Sequence, residues 1–241
     1  MNVALIFAGG AGRRMNTKTK PKQFLELNGK PIIIHTIDNF EYHPLIQAII
    51  VVCLEEWIPY MKNLLIRYHI EKVKWIIPGG ETGQQSIRKG LDILWFDKTI
   101  PNDAFVLIHD GVRPLINEDL ISRNIACAEQ YGNAITVTPA IETIINVTAT
   151  DEILNILDRS KCRMARAPQT FRLSDILNAH KRAELEGNKD MIDSAMLMDY
   201  YGECLHTVEG PFENIKITTP SDFYIFRAIY EAKENSQIWG I

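Results

Sequence analysis

Val3-Ala4-Leu5-Ile6-Phe7-Ala8-Gly9-Gly10-Ala11-Gly12-Arg13-Arg14-Met15 is the stretch on which the fold turns. Its first half is a short, unbroken apolar run; its second half is a glycine-rich loop that ends in two arginines. A strand that is apolar on both faces belongs inside a parallel sheet covered by helices. Glycines at its carboxyl end let backbone N–H groups come close to a phosphate. Open α/β sheets bind their ligands at that edge. Lys22, in Pro21-Lys22-Gln23-Phe24, adds a further cation shortly after Arg14. Backbone donors followed by cations suit a triphosphate.

The same rhythm continues on the carboxyl side. Short β-branched runs at 3–7, 46–53, 73–77, 105–108 and 134–137 alternate with stretches of helical spacing at 32–40, 57–68, 86–96 and 119–131. This alternation predicts a doubly wound, mostly parallel α/β sheet with helices on both faces. Beyond Val137 the pattern changes. Residues 143–147 and 153–157 read as two strands joined by a polar turn, a β-hairpin arm within about 140–163. A lone hairpin is marginal in water, so the arm is expected to pack on a second subunit. Ser174 is then expected to cap a helix over 175–186, with another helix at 190–201, a strand at 204–208 and an extended piece at 215–217. Thr219 at the cap, Pro220 at the first position and Asp222 in the first turn predict a final helix. With no internal repeat or low-complexity linker, the 241 residues are expected to form one domain plus the arm.

Composition narrows the classes. Apolar residues make up 46% of the chain, enough for a sizeable core. Charged residues make up 23% with a net charge of -4, which speaks against a protein built to wrap nucleic acid. No apolar run approaches the roughly 18 residues needed to span a bilayer, so no membrane partner is expected. The amino terminus lacks a basic segment ahead of its apolar run and reads as a strand, not a signal peptide. Cys53, Cys127, Cys162 and Cys204 lie far apart without zinc-site spacing, which predicts reduced thiols and a cytoplasmic protein.

Two other phosphate motifs fit poorly. The Walker loop needs Gly-Lys-Ser/Thr, which is absent. The dinucleotide fingerprint is half matched: Gly10-Ala11-Gly12 runs into Arg13-Arg14-Met15 where a third glycine belongs. The region about 20 residues on, Pro31-Ile32-Ile33-Ile34, offers no acid for a ribose.

Later segments join the loop in a recognisable order. They are Pro78-Gly79-Gly80-Glu81 with Ser86, His109-Asp110-Gly111-Val112-Arg113-Pro114, Ala167-Pro168-Gln169-Thr170-Phe171, and Glu213-Asn214-Ile215-Lys216-Ile217-Thr218. Over nearly its whole length the chain resembles the family of 2-C-methyl-D-erythritol 4-phosphate and ribitol-5-phosphate cytidylyltransferases. The resemblance implies a nucleotide-diphospho-sugar transferase-like fold, a homodimer built by the arm, CTP and a small polyol phosphate as substrates, and Mg²⁺ on the phosphates.

The implied reaction is attack of a polyol phosphate oxygen on the α-phosphorus of CTP, with pyrophosphate leaving. The nucleophile is already anionic, so catalysis is positioning and charge stabilisation. By the same resemblance, Arg14, Lys22 and Lys216 hold the phosphates and stabilise the transition state. Ala8, Gly9, Gly10, Gly12, Gly80, Glu81 and Ser86 bind the nucleotide. Asp110, Arg113, Thr143 and Arg159 bind the acceptor, the last two reaching a neighbouring subunit's site. Arg113 can pair with a phosphate or lock Asp110. His109 is expected to be structural, and Asp193 either structural or one step behind the substrate contacts. Gly83 stands where relatives often carry arginine. Ala167 stands where they often carry threonine, with Arg166 beside it able to compensate. Gly9-Gly10 and Val112 lean toward ribitol 5-phosphate, which would feed cell-wall or capsule polymers. The alternative acceptor, methylerythritol phosphate, would feed isoprenoid synthesis. A nucleotide-binding protein without catalysis is a further alternative, against which the three cations speak.

Overall fold

Seven strands hydrogen-bond into one sheet in the computed structural model, which describes residues 1–10, 20–188 and 191–239. In chain order the strands are β1 (Asn2–Ala8), β2 (Glu26–Leu27), β3 (Lys30–Pro31), β4 (Ala48–Cys53), β5 (Val73–Pro78), β6 (Phe105–Asp110), β7 (Asn133–Pro139), β8 (Ile145–Val147), β9 (Ile153–Ile156), β10 (Arg163–Arg172) and β11 (Thr207–Glu209). The helices are α1 (Ile32–Glu41), α2 (Ile58–Arg67), α3 (Gly83–Phe96), α4 (Glu118–Tyr131), α5 (Leu173–Glu186), α6 (Ser194–Tyr200) and α7 (Pro220–Trp239). The sheet order is β11-β7-β10-β6-β1-β4-β5. Its pairs are parallel except those of β10, which runs antiparallel to β6 and β7.

Strand β1 lies between β4 and β6 and feeds both faces of the core. Ala4 and Ile6 pack with Ile34, Ile37, Leu120 and Ile121 from α1 and α4. Val3 and Leu5 pack with Ile87, Leu91, Ile176 and Leu177 from α3 and α5. The period of two in a strand thus sorts one continuous apolar run into two cores. Helix α3 comes close: a Cβ on Gly90 would sit 2.7 Å from Leu5 Cδ1. Because the chain leaves β1 toward neighbours on opposite sides, a crevice opens beyond its carboxyl end.

The amino-terminal alternation is as the sequence predicts; the carboxyl half departs from it. Strand β10 sits inside the sheet although the sequence reading has no strand there. The strand expected at 204–208 is β11, Thr207–Glu209. The expected extended piece at 215–217 belongs to no strand, although Ile217 N–H donates to Val112 O at 3.0 Å. Ser174 does not cap α5, which starts at Leu173 with Arg172 in the cap position; its hydroxyl donates to Asp175 at 2.8 Å. Helix α6 starts at Ser194, capped by Asp193. The final helix starts as expected, with Asp222 N–H donating to Thr219 Oγ1.

Strands β8 and β9 form a separate antiparallel pair. Their apolar side chains are exposed, from 43% for Ile145 to 67% for Leu154. All four cysteines are free. Among the described residues, no helix is long and apolar enough to cross a membrane.

Candidate active site

Three separate pieces of chain meet beyond the end of β1. The first is the turn at 22–24. Gln23 is buried and donates to Ala8 O at 2.7 Å, which ties this turn to the strand end. Lys22 Nζ donates to Ile217 O at 3.1 Å, across 195 residues of sequence. The second piece follows β5. Ser86 Oγ accepts from Gly80 N–H at 3.0 Å and donates to Thr82 O at 2.9 Å. Gly9 and Gly79 press against that hydroxyl: a Cβ on either would lie 3.2 or 3.1 Å from it. Ser86 therefore shapes the loop, and its hydroxyl is engaged with backbone. The third piece, residues 213–218, brings in Lys216.

A cavity of about 290 Å³ is lined by Ala8, Gly9, Gly10, Lys22, Gly80, Glu81, Ser86, Asp110 and Lys216. The fold thus brings nine of the expected site residues to one place. Phe7, Gln23, Thr82 and Thr218 line it too, with no role assigned from sequence. A second cavity of about 270 Å³ shares Phe7, Gly83, Asp110 and Lys216 with the first, then extends past Arg113, Arg166, Ala167, Gln169 and Asp193. Gly83 leaves the seam open, since a Cβ there would meet only Phe7, at 4.0 Å.

Asp110 stands where the two halves meet. Lys216 Nζ lies 2.6 Å from one carboxylate oxygen, and Arg113 Nε donates to the other at 2.7 Å. Burial alone would raise the Asp110 pKa, but Arg113 and Lys216 outweigh it and hold it at about 2. Arg113 also donates from Nη1 to Asn214 O at 3.0 Å. Of its two offered roles, the geometry is that of locking Asp110. Lys216 Nζ lies 5.9 Å from the Phe7 ring centre, and its side chain stays 40% exposed.

His109 is fully buried, its Nε2 lying 3.0 Å from Arg113 O. Burial pushes its pKa down to about 4, so the ring is neutral near pH 7 and sits behind the site as a support. Asp193 accepts from Met196 N–H at 2.8 Å as the cap of α6, and from Gln169 Nε2 at 2.9 Å. Gln169 in turn accepts from Ala195 N–H at 2.9 Å. Asp193 thus caps α6 and holds Gln169 in the wall of the second cavity.

Thr143 and Arg159 do not join this cavity. Both are exposed at the arm, and Arg159 Nη1 donates to Ile141 O at 2.6 Å. Arg14 and Gly12 lie outside the described residues. Asp222, expected from the sequence only as a first-turn residue of the last helix, also supports the site: its Oδ2 accepts from Thr218 N–H, Thr218 Oγ1 and Thr219 N–H, each at 2.8 Å, fixing the end of the Lys216 segment. The spacing of Thr219 and Asp222 is the signal that could have found it.

Among the described residues, no group of three acidic, histidine or cysteine side chains could cage a metal ion. Asp110 has both oxygens committed to cations, and Glu81 sits exposed on the rim.

A family model described as 2-C-methyl-D-erythritol 4-phosphate cytidylyltransferase matches residues 2–232. The chain is 53% identical to the ribitol-5-phosphate cytidylyltransferase of Streptococcus agalactiae serotype III (strain NEM316), with 100% of both chains covered. It is 51% identical to the ribitol-5-phosphate cytidylyltransferase of Vibrio parahaemolyticus serotype O3:K6, again with 100% of both covered. Identity to the 2-C-methyl-D-erythritol 4-phosphate cytidylyltransferase of Clostridium acetobutylicum is 38%, over 98% of this chain and 99% of that one. Among solved structures, the 4-diphosphocytidyl-2C-methyl-D-erythritol synthase of Anaerococcus prevotii matches with a TM-score of 0.82 at 25% identity, over 95% of this chain and 96% of that one. The 2-C-methyl-D-erythritol 4-phosphate cytidylyltransferase of Francisella tularensis gives 0.77 at 27% identity, over 95% and 98%.

Proposed function

We propose, on the premise that this chain belongs to the 2-C-methyl-D-erythritol 4-phosphate cytidylyltransferase family, that its acceptor is ribitol 5-phosphate. It is a CTP-dependent nucleotidyltransferase. The observation that carries the choice of acceptor is end-to-end identity of 51–53% to the Streptococcus agalactiae and Vibrio parahaemolyticus relatives named for ribitol 5-phosphate, against 38% to the Clostridium acetobutylicum relative named for the methylerythritol substrate.

CTP lies with its phosphates over Gly9 and Gly10, beside Lys22. The acceptor enters the half lined by Arg113, Arg166 and Gln169. Its phosphate oxygen meets the α-phosphorus at the seam, where Lys216 projects beside Asp110. No base is required, because the attacking oxygen is already charged. What the site supplies is cations fixed before the reaction begins, in a partly desolvated cleft. Arg14, which falls between β1 and Lys22 in the sequence and outside the described residues, is proposed to complete the set.

With Asp110 committed to its two cations, a Mg²⁺ ion would be held chiefly by the nucleotide's phosphates and water, as is common for this hard cation. It would neutralise phosphate charge when bound. The exposed apolar arm supports a homodimer in which each arm carries Thr143 and Arg159 toward the partner's acceptor half. Four free thiols suit a reducing compartment and support a cytoplasmic site of action.

The test is pyrophosphate release from CTP with a panel of polyol phosphates. Ribitol 5-phosphate is expected to give the highest kcat/KM, by at least ~10-fold over methylerythritol phosphate, a difference of about 1.4 kcal/mol in transition-state binding. Reversed preference would return the acceptor to the methylerythritol reading. CTP binding without release from any acceptor would make the protein a nucleotide binder.

A further inference from the structure

Arg166 lies in the one irregular stretch of β10. The register to β7 shifts between Ala165 and Gln169, and an interruption of this kind re-aims side chains beside a site. The side chain is half-buried and lines the acceptor half of the cleft with Asp110, Arg113 and Lys216.

Its surroundings differ from those of the neighbouring cations. Arg113 is spent on Asp110 and on Asn214 O. Lys216 is matched by the other oxygen of Asp110. Arg166 makes one long hydrogen bond, from Nε to Thr138 Oγ1 at 3.4 Å, and pairs with no carboxylate among the described residues. Burial, and then the charge of Arg113, lower its pKa from the usual arginine value. A guanidinium nevertheless stays protonated. A half-desolvated cation beside another cation is costly until an anion arrives. The planar fork of a guanidinium matches two phosphate oxygens at once.

We infer that Arg166 binds the phosphate of the acceptor and is a specificity-determining residue for phosphorylated acceptors. This rests on the reading of the chain as a polyol-phosphate cytidylyltransferase and adds the group that recognises the acceptor's charged end. Arg113 then acts behind it, as the clamp that keeps Asp110 and Lys216 in place.

The experiment compares wild type with Arg166→Gln and Arg166→Lys. A charge-assisted hydrogen bond is worth about 1.5–3 kcal/mol, so KM for ribitol 5-phosphate is expected to rise about 10- to 100-fold in Arg166→Gln. KM for CTP is expected to stay within about 2-fold, which also shows that the variant is folded. Arg166→Lys is expected to recover part of the loss. Inorganic phosphate, as a competitor of the acceptor, is expected to weaken in Arg166→Gln by a similar factor. An unchanged acceptor KM, an equal rise for CTP, or undiminished phosphate competition would each overturn the inference. Should wild type turn over no polyol phosphate at all, the functional reading falls. Calorimetric titration with inorganic phosphate then still decides Arg166, because equal affinity in wild type and Arg166→Gln refutes it.

Discussion

Asp110 holds two cations with one carboxylate, and the placement of Lys216 depends on that clamp. Replacing Lys216 or Lys22 with alanine is expected to cut kcat about 100-fold or more, as for loss of a preorganised charge at a reacting centre. Steady-state pyrophosphate release checks this, and full turnover in both variants would take the two lysines out of the reaction. The types and the order of these residues were legible in the sequence. Their pairings were not. Whether Arg113 faces a ligand or Asp110 is decided partly by Asn214 O, 101 residues further along the chain. Ser86 was legible as a site residue, yet its hydroxyl turns inward because Gly80 and Thr82 present a donor and an acceptor at the right distance.

At the scale of elements, the parallel strands announce themselves because both faces are covered and the runs stay apolar. Strand β10 does not. Arg163, Arg166 and Pro168 break its pattern, and a proline speaks against a strand inside a sheet. The irregular register between Ala165 and Gln169 absorbs that proline. Helix α6 was expected to begin at residue 190, and the Asp193 cap sets its observed start at Ser194. Asp193→Ala removes this cap and the partner of Gln169. It is expected to cost about 1–2 kcal/mol of stability, read as a lower urea midpoint. Gly90→Ala should cost more than a surface change, since its Cβ would come within 2.7 Å of Leu5. A melting temperature equal to wild type would show that α3 can move off β1 freely.

For the molecule as a whole, burial holds His109 and His180 near pKa 4, below the 6.5 of an exposed ring, with the charge of Arg88 adding to the effect at His180. The unfolded chain therefore takes up these protons first. Their contribution to stability is complete above about pH 6.5 and is lost as pH falls toward 4. Asp110 adds a second loss lower down, as pH falls from about 4 toward 2. Urea midpoints measured from pH 7.5 down to 4 should decline accordingly; a flat profile would contradict buried, neutral histidines. The arm makes a separate prediction. Ile156, 64% exposed, lies on its apolar surface. On the proposed homodimer, Ile156→Glu is expected to yield monomers by light scattering and to lower turnover, because Thr143 and Arg159 are proposed to act in a second subunit's site. A fully active monomer would remove the arm from the reaction.

The bond from Lys22 to the backbone of Ile217 has a consequence for biosynthesis. The strands from β1 to β10 are complete by Arg172, and they can collapse while the ribosome is still at work. The cleft cannot close then, because its last wall is not yet made. Nascent chains stalled before residue 216 should bind CTP poorly, and capacity should appear abruptly once the segment through Thr218 clears the exit tunnel.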